Sequence, residues 1–206
     1  MTDAHTIDTV DGLRAIIGEV NPAVQVKINP AIDEFARAYI AVSPFIVLST
    51  SDRTGRQDVS PKGDTPGFVV VENETTLLIP DRKGNRLVYS LQNIIENPHV
   101  GVLFLVPGTN ETVRVNGTAS LTNDPEVCQR LSARGQAALL AIRVRVEECF
   151  FHCAKAFLRA QLWQPPNWPA NLRPSFGKML APKLGGDEQM VKMIDTMIDE
   201  DYRTNL

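Results

Sequence analysis

The sequence predicts a mainly β fold with some helix, an antiparallel barrel or sandwich with helices at its margins. Three observations predict it. Helical periodicity stops near Ser43-Pro44, strand-like runs then follow one another at short spacing to about Phe150, and one clear helix and one shorter helical segment interrupt them. A parallel sheet is excluded, because its strands would alternate with crossover helices.

Taken in order, Leu13, Ile16, Ile17 and Val20 recur at helical spacing and put one apolar stripe on a first helix. Beyond a turn at Asn21-Pro22, Asn29 is the expected N-cap and Pro30 the first residue of a second helix. Its buried face is Ile32, Phe35, Ala36, Tyr39 and Ile40, and Ser43-Pro44 ends it. Strands are expected over Phe45–Ser51 and, past the turn Asp52-Arg53-Thr54-Gly55, over residues 57–60, 68–71 and 75–79. A helix carrying Leu87, Leu91, Ile94 and Ile95 stops at Asn97-Pro98. Residues 100–106 are apolar on both faces, as suits a central strand. Val113, Val115, Gly117, Ala119 and Leu121 alternate with polar residues, as do Ile142, Val144 and Val146, so each of these strands buries one face. Asn123-Asp124-Pro125 starts a short helix between them, a surface helix that carries an inert Cys128. Residues 164–182 hold five of the fourteen prolines and read as an extended arm. Gly185-Gly186 then leads into an amphipathic helix with Met190, Met193, Ile194, Met197 and Ile198 on one side.

Composition narrows the function. A chain of 206 residues with 43% hydrophobic residues and a net charge of −3 is neither a disordered tail nor a basic nucleic-acid binder. The acidic start has no secretory pattern, and no apolar run reaches membrane-spanning length, so a cytoplasmic protein with no membrane or nucleic-acid partner is expected. Three cysteines make no disulfide framework. Cys149, His152 and Cys153 crowd together but lack the paired knuckles of structural zinc, so no metal is expected.

Three stretches carry candidate chemistry. Between a strand and a helix, Arg82, Lys83, Gly84 and Asn85 precede Arg86, Ser90 and Asn93, which share a face on a helix expected to open near Arg86. A helix N-terminus with arginines is a ready phosphate site; a solvated basic turn is the alternative. At a strand end, Ser60 and Lys62 could meet the edge of a planar heterocycle, though a plain hairpin turn explains them as well. Read as a helix, residues 150–163 align His152, Lys155 and Arg159 in a cationic stripe with Trp163 a turn beyond. That pattern suits an anionic aromatic cofactor, or else a solvated face with a packed indole.

Together these runs resemble a known family. Asp81-Arg-Lys-Gly-Asn-Arg86, Glu96-Asn-Pro-His-Val-Gly-Val-Leu-Phe104 and Glu111-Thr-Val-Arg-Val-Asn-Gly-Thr-Ala119 resemble the FMN-binding split β-barrel family of pyridoxamine 5′-phosphate oxidase-like proteins. Ser60-Pro-Lys-Gly-Asp64 and Phe150-Phe-His-Cys-Ala-Lys-Ala156 look like a bacterial subgroup of FMN-dependent enzymes. The resemblance spans about residues 40–165. It implies a Greek-key split barrel with peripheral helices and an FMN-dependent oxidoreductase working as a homodimer with flavin at the interface. With the periodicity and proline content outside that span, the expected division is N-terminal helices packing on the barrel (1–43), the FMN-binding barrel (44–163), and a proline-rich arm with a C-terminal amphipathic helix (164–206).

Carried over by position, the resemblance assigns Arg82, Lys83, Asn85, Arg86 and Ser90 to the phosphate, and Ser60 and Lys62 to the isoalloxazine edge. Thr112 falls at the pyrimidine side. His152, Lys155, Arg159 and Trp163 would approach from the other subunit, with His152 the one candidate acid–base group. A small-molecule substrate is implied, with NAD(P)H the default electron donor. Ile79-Pro80 departs from the hydroxyl-bearing pair of the vitamin B6 oxidases, and their substrate-gripping arginine and tryptophan motif is not recognisable, so pyridoxamine phosphate is not the expected substrate. The alternative is a carrier holding flavin or haem without turnover, with His99 or His152 as the haem ligand.

Overall fold

Seven antiparallel strands form one sheet in the order β2-β1-β5-β6-β7-β4-β3: β1 (Phe45–Ser51), β2 (Gln57–Gly63), β3 (Val70–Asn73), β4 (Thr76–Asp81), β5 (His99–Leu105), β6 (Thr112–Thr122) and β7 (Leu140–His152). The structure, a computed structural model, describes residues 5–170 and 172–205. The first four residues of the expected N-terminal unit, and Asn171 and Leu206 of the C-terminal one, lie outside the described residues.

The sheet curls until β2 nears β4, where Lys62 Nζ lies 3.2 Å from Asp81 Oδ1. Pro61 on β2 and Pro80 on β4 line that seam, and neither has an N–H with which to complete a ladder across it. The result is a split β-barrel of the Greek-key type with peripheral helices. Ile46, Leu48, Leu77, Ile79, Val102, Phe104, Val113, Val115, Ile142 and Val144 fill it. A smaller cluster of Leu78, Val127, Cys128, Leu131, Ala138 and Ala141 lies beneath α5 (Pro125–Arg130), so Cys128 is buried rather than on the surface.

One irregularity re-aims the far end of the sheet. The β6–β7 register shifts at Asn116/Gly117, where Asn116 faces Glu148 but Gly117 faces Val146. Glu147 is the extra residue, and it reverses the alternation. Val144 and Val146 point inward before it, Cys149 after it, which leaves Phe150 and His152 on the outer face. Gly117 is required there, because a Cβ would sit 1.9 Å from the Arg145 carbonyl oxygen.

The N-terminal helices differ from the expectation in three ways. α1 (Val10–Ile17) forms, but buries none of its stripe, with Ile16 and Ile17 68% and 70% exposed. The Asn21-Pro22 turn opens a short helix, α2 (Pro22–Gln25). α3 (Glu34–Val42) is capped by Asp33, not Asn29. Asn29 instead exchanges both backbone hydrogen bonds with Cys149, completing the β7 ladder beyond the end of β4. Ile32, Ala36 and Ile40 pack on the barrel, whereas Phe35 is exposed.

α4 (Tyr89–Glu96) docks through Leu91 and Ile94, leaving Leu87 and Ile95 exposed. Asn93 Nδ2 donates to Thr50 Oγ1 at 3.0 Å and ties the helix to β1. At the C-terminus, residues 176–184 are helical rather than extended: α7 (Phe176–Leu180) runs into a 3₁₀ turn and packs against α8 (Glu188–Thr204). Ile194 is buried there, while Met193 and Met197 stay exposed. No helix among the described residues is long and apolar enough to cross a membrane.

Candidate functional site

β2 alternates, so Asp58, Ser60 and Lys62 point together into a cleft while Val59 and Pro61 point out. The loop after β4 and the start of α4 form the opposite wall. The cleft, about 470 Å³, gathers Ser60, Lys62, Arg82, Asn85, Arg86 and Ser90, six of the residues the sequence singled out.

The loop conformation explains why the helix opens late. Arg86 and Val88 have φ of 62° and 50°, a left-handed conformation that a β-branched residue seldom adopts. α4 therefore begins at Tyr89, and Arg86 lies in the loop, not on a shared helical face with Ser90 and Asn93. Asn85 turns back to accept from the Leu87 amide at 3.0 Å. Among the described α-helices, α1, α2, α3, α5, α7 and α8 each start with a side chain accepting from the first turn, but α4 and the short helix at Lys155–Ala160 do not. The first N–H groups of α4 carry the positive end of the helix dipole without a side-chain partner.

Several contacts escaped the sequence reading. Ser90 Oγ donates to Asp58 Oδ2 at 2.6 Å, so Asp58 shares the cleft; its period-2 spacing from Ser60 and Lys62 was the available signal. Lys62 pairs with Asp81 across the seam. Arg82 donates from Nε to Asp64 at 3.0 Å, while its Nη1 is buried without a hydrogen-bond partner among the described residues. Lys83 turns away, reaching Asn205 at 3.2 Å beside a separate cavity of about 150 Å³ that also meets Arg82, Arg134 and Leu139.

The remaining predicted residues gather elsewhere, at the end of the β6–β7 hairpin. His152 closes β7 opposite Thr112, which is buried, so His152 is on a strand and not on a helix with Lys155 and Arg159. Those two lie on α6 (Lys155–Ala160). Gln161 takes φ 48° and ends that helix, so Trp163 leaves the expected azimuth. Its Nε1 donates to the Thr109 carbonyl at 2.8 Å, and its ring packs on Phe157 with centroids 5.9 Å apart. Lys27 and Arg114, both unforeseen, each lie 5.6 Å from the Phe150 ring. Burial, with the charges of Arg114 and Lys27, holds the His152 imidazole below its ordinary value. Among the described residues no cluster of His, Cys, Asp or Glu is placed to hold a metal.

The fold is a split β-barrel with a cation-lined cleft where β2 meets the start of α4. A family model described as pyridoxamine 5′-phosphate oxidase matches residues 32–153, and the chain belongs to that family. Similar solved structures include HupZ of Group A Streptococcus, 16% identical over 58% of this chain and 93% of that one, with a TM-score of 0.48. An FMN-binding protein of Syntrophomonas wolfei is 14% identical over 57% and 84%, with a TM-score of 0.45. General stress protein 26 of Bacillus anthracis is 17% identical over 55% and 88%, with a TM-score of 0.43. No curated protein matches the chain.

Proposed function

We propose that the chain binds FMN in the cleft between β2 and α4 and acts, as a homodimer, as an FMN-dependent oxidoreductase on a small molecule. The observation that carries the reading is the bare N-terminus of α4 beside a buried, unpartnered Arg82 Nη1. Among the described residues α4 starts with no side-chain acceptor and Nη1 has no partner, and a phosphate monoester supplies acceptor oxygens and negative charge to each. Arg86 adds a second guanidinium on the same wall. Ser60 and Lys62 on β2 face the flat part of the ligand, and Asp58 accepts hydrogen bonds from its hydroxyls. The bound flavin supplies the redox chemistry, and the protein supplies position and field.

His152, Lys155 and Arg159 serve a partner's flavin, with Arg114 and Lys27 joining them. The outer face of the sheet suits a second copy: Val59 and Phe45 are exposed, and Val47, Leu103 and Phe150 are half-buried beside them. His152, whose pKa is lowered by burial and then by the charges of Arg114 and Lys27, is the group to accept a proton from substrate. NAD(P)H is the expected donor of electrons.

Titration of the purified protein with FMN, followed by flavin fluorescence and sedimentation, tests this. Wild-type protein binds FMN as a dimer and bleaches with NAD(P)H, and Arg86→Ala weakens FMN about tenfold or more. Yellow protein inert to any reductant supports a carrier instead, and unchanged affinity in Arg86→Ala rejects the phosphate assignment.

A further inference from the structure

We propose that Asp64 is a positioning residue that holds Arg82 with one guanidinium nitrogen aimed at the ligand's phosphate; the inference rests on the flavin reading above. Asp64 lies just past β2, in the turn after the Ser60-Pro-Lys-Gly run, and its carboxylate is only 1% exposed. One oxygen accepts from Arg82 Nε at 3.0 Å. The other accepts from the Thr65 amide at 2.8 Å and from Arg134 Nη1 at 3.0 Å. A single buried charge therefore joins three segments: the end of β2, the loop after β4, and the loop after α5.

The guanidinium is planar and rigid, so fixing Nε fixes the plane of the whole fork. Asp81, the sequence neighbour of Arg82, pairs with Lys62 instead. What remains is Nη1, buried with no acceptor among the described residues, an arrangement costly to hold. The carboxylate is well suited to the task. Burial alone would raise its pKa, but the Thr65 amide, the Arg82 hydrogen bond and the charges of Arg134 and Arg82 outweigh it and keep Asp64 ionised below the usual range.

The test is Asp64→Asn in the full-length protein, titrated with FMN and separately with riboflavin, which lacks the phosphate. If Asp64 acts through Arg82 on the phosphate, FMN affinity falls about tenfold or more while riboflavin affinity is unchanged. In an Arg82→Ala background the same substitution then adds no further loss of FMN. An equal fall for both flavins means Asp64 merely supports the fold and overturns the proposal, as does no change for either, or an additive loss beside Arg82→Ala. Should the Asn variant not fold, Asp64→Glu keeps the charge, displaces the guanidinium, and carries the same pair of titrations with the same opposed outcomes. Wild-type protein that binds neither flavin removes the flavin reading itself, and this inference with it.

Discussion

A carboxylate placed at the head of α4 separates the stability of that helix from its capacity for an anion. Val88 sits there with φ 50° and no side-chain cap, and the residue is 45% exposed. In Val88→Asp the loss of a half-buried valine costs about 1 kcal/mol. Relief of a β-branched left-handed residue returns about 1 kcal/mol, and a negative group at a helix N-terminus adds about 0.5 kcal/mol. The terms nearly cancel, so the ligand-free protein melts within about 3 °C of wild type. Binding behaves differently. A fixed carboxylate about 4 Å from a phosphate opposes it by about 4 kcal/mol at an effective dielectric constant near 20, enough for at least a hundredfold loss of FMN. Val88→Asn, without the charge, retains most of the affinity. The assay is flavin fluorescence quenching beside a thermal melt of the same samples. A folded Val88→Asp protein that takes up FMN as wild type does would show that the phosphate is not at α4.

Other expectations concern the barrel itself. Gly117→Ala forces a Cβ to within 1.9 Å of the Arg145 carbonyl and must break the bulge; urea denaturation should show a loss of about 3 kcal/mol or more, and an unchanged midpoint contradicts the close approach. Burial, then the charge of Asp33, pushes the Cys149 thiol up to about 11, whereas Cys153 is exposed. Alkylation of the folded protein at pH 9 should therefore modify exposed Cys153 and leave Cys149 unmodified, as read by peptide mass spectrometry. Modification of Cys149 at a comparable rate would mean that the β7 edge opens.

Local chemistry alone determined a good deal of this protein. β1 runs over the residues its β-rich composition and flanking turns predict, Phe45–Ser51, and α5 starts where Asp124-Pro125 says it should. Both depend on short-range signals, a cap or a period, that the chain carries within a few residues. The cleft was legible for a related reason. Ser60 and Lys62 share a strand face, Arg82, Asn85, Arg86 and Ser90 fall within one loop and helix start, and curling the sheet brings the two groups together. Other features were decided between segments remote in sequence. Asn29 has the makings of a cap, but the open ladder at Cys149 claims its backbone, and Asp33 caps α3 instead. The bulge at Glu147 turns His152 outward on a strand, a parity change that needs the β6 partner to exist. Asp64 reads as an ordinary turn residue until folding buries it between Arg82 and Arg134, 18 and 70 residues away. Periodicity and caps are properties of neighbours along the chain, whereas hydrogen-bond satisfaction in a buried site is settled by whichever groups the closed barrel brings within reach.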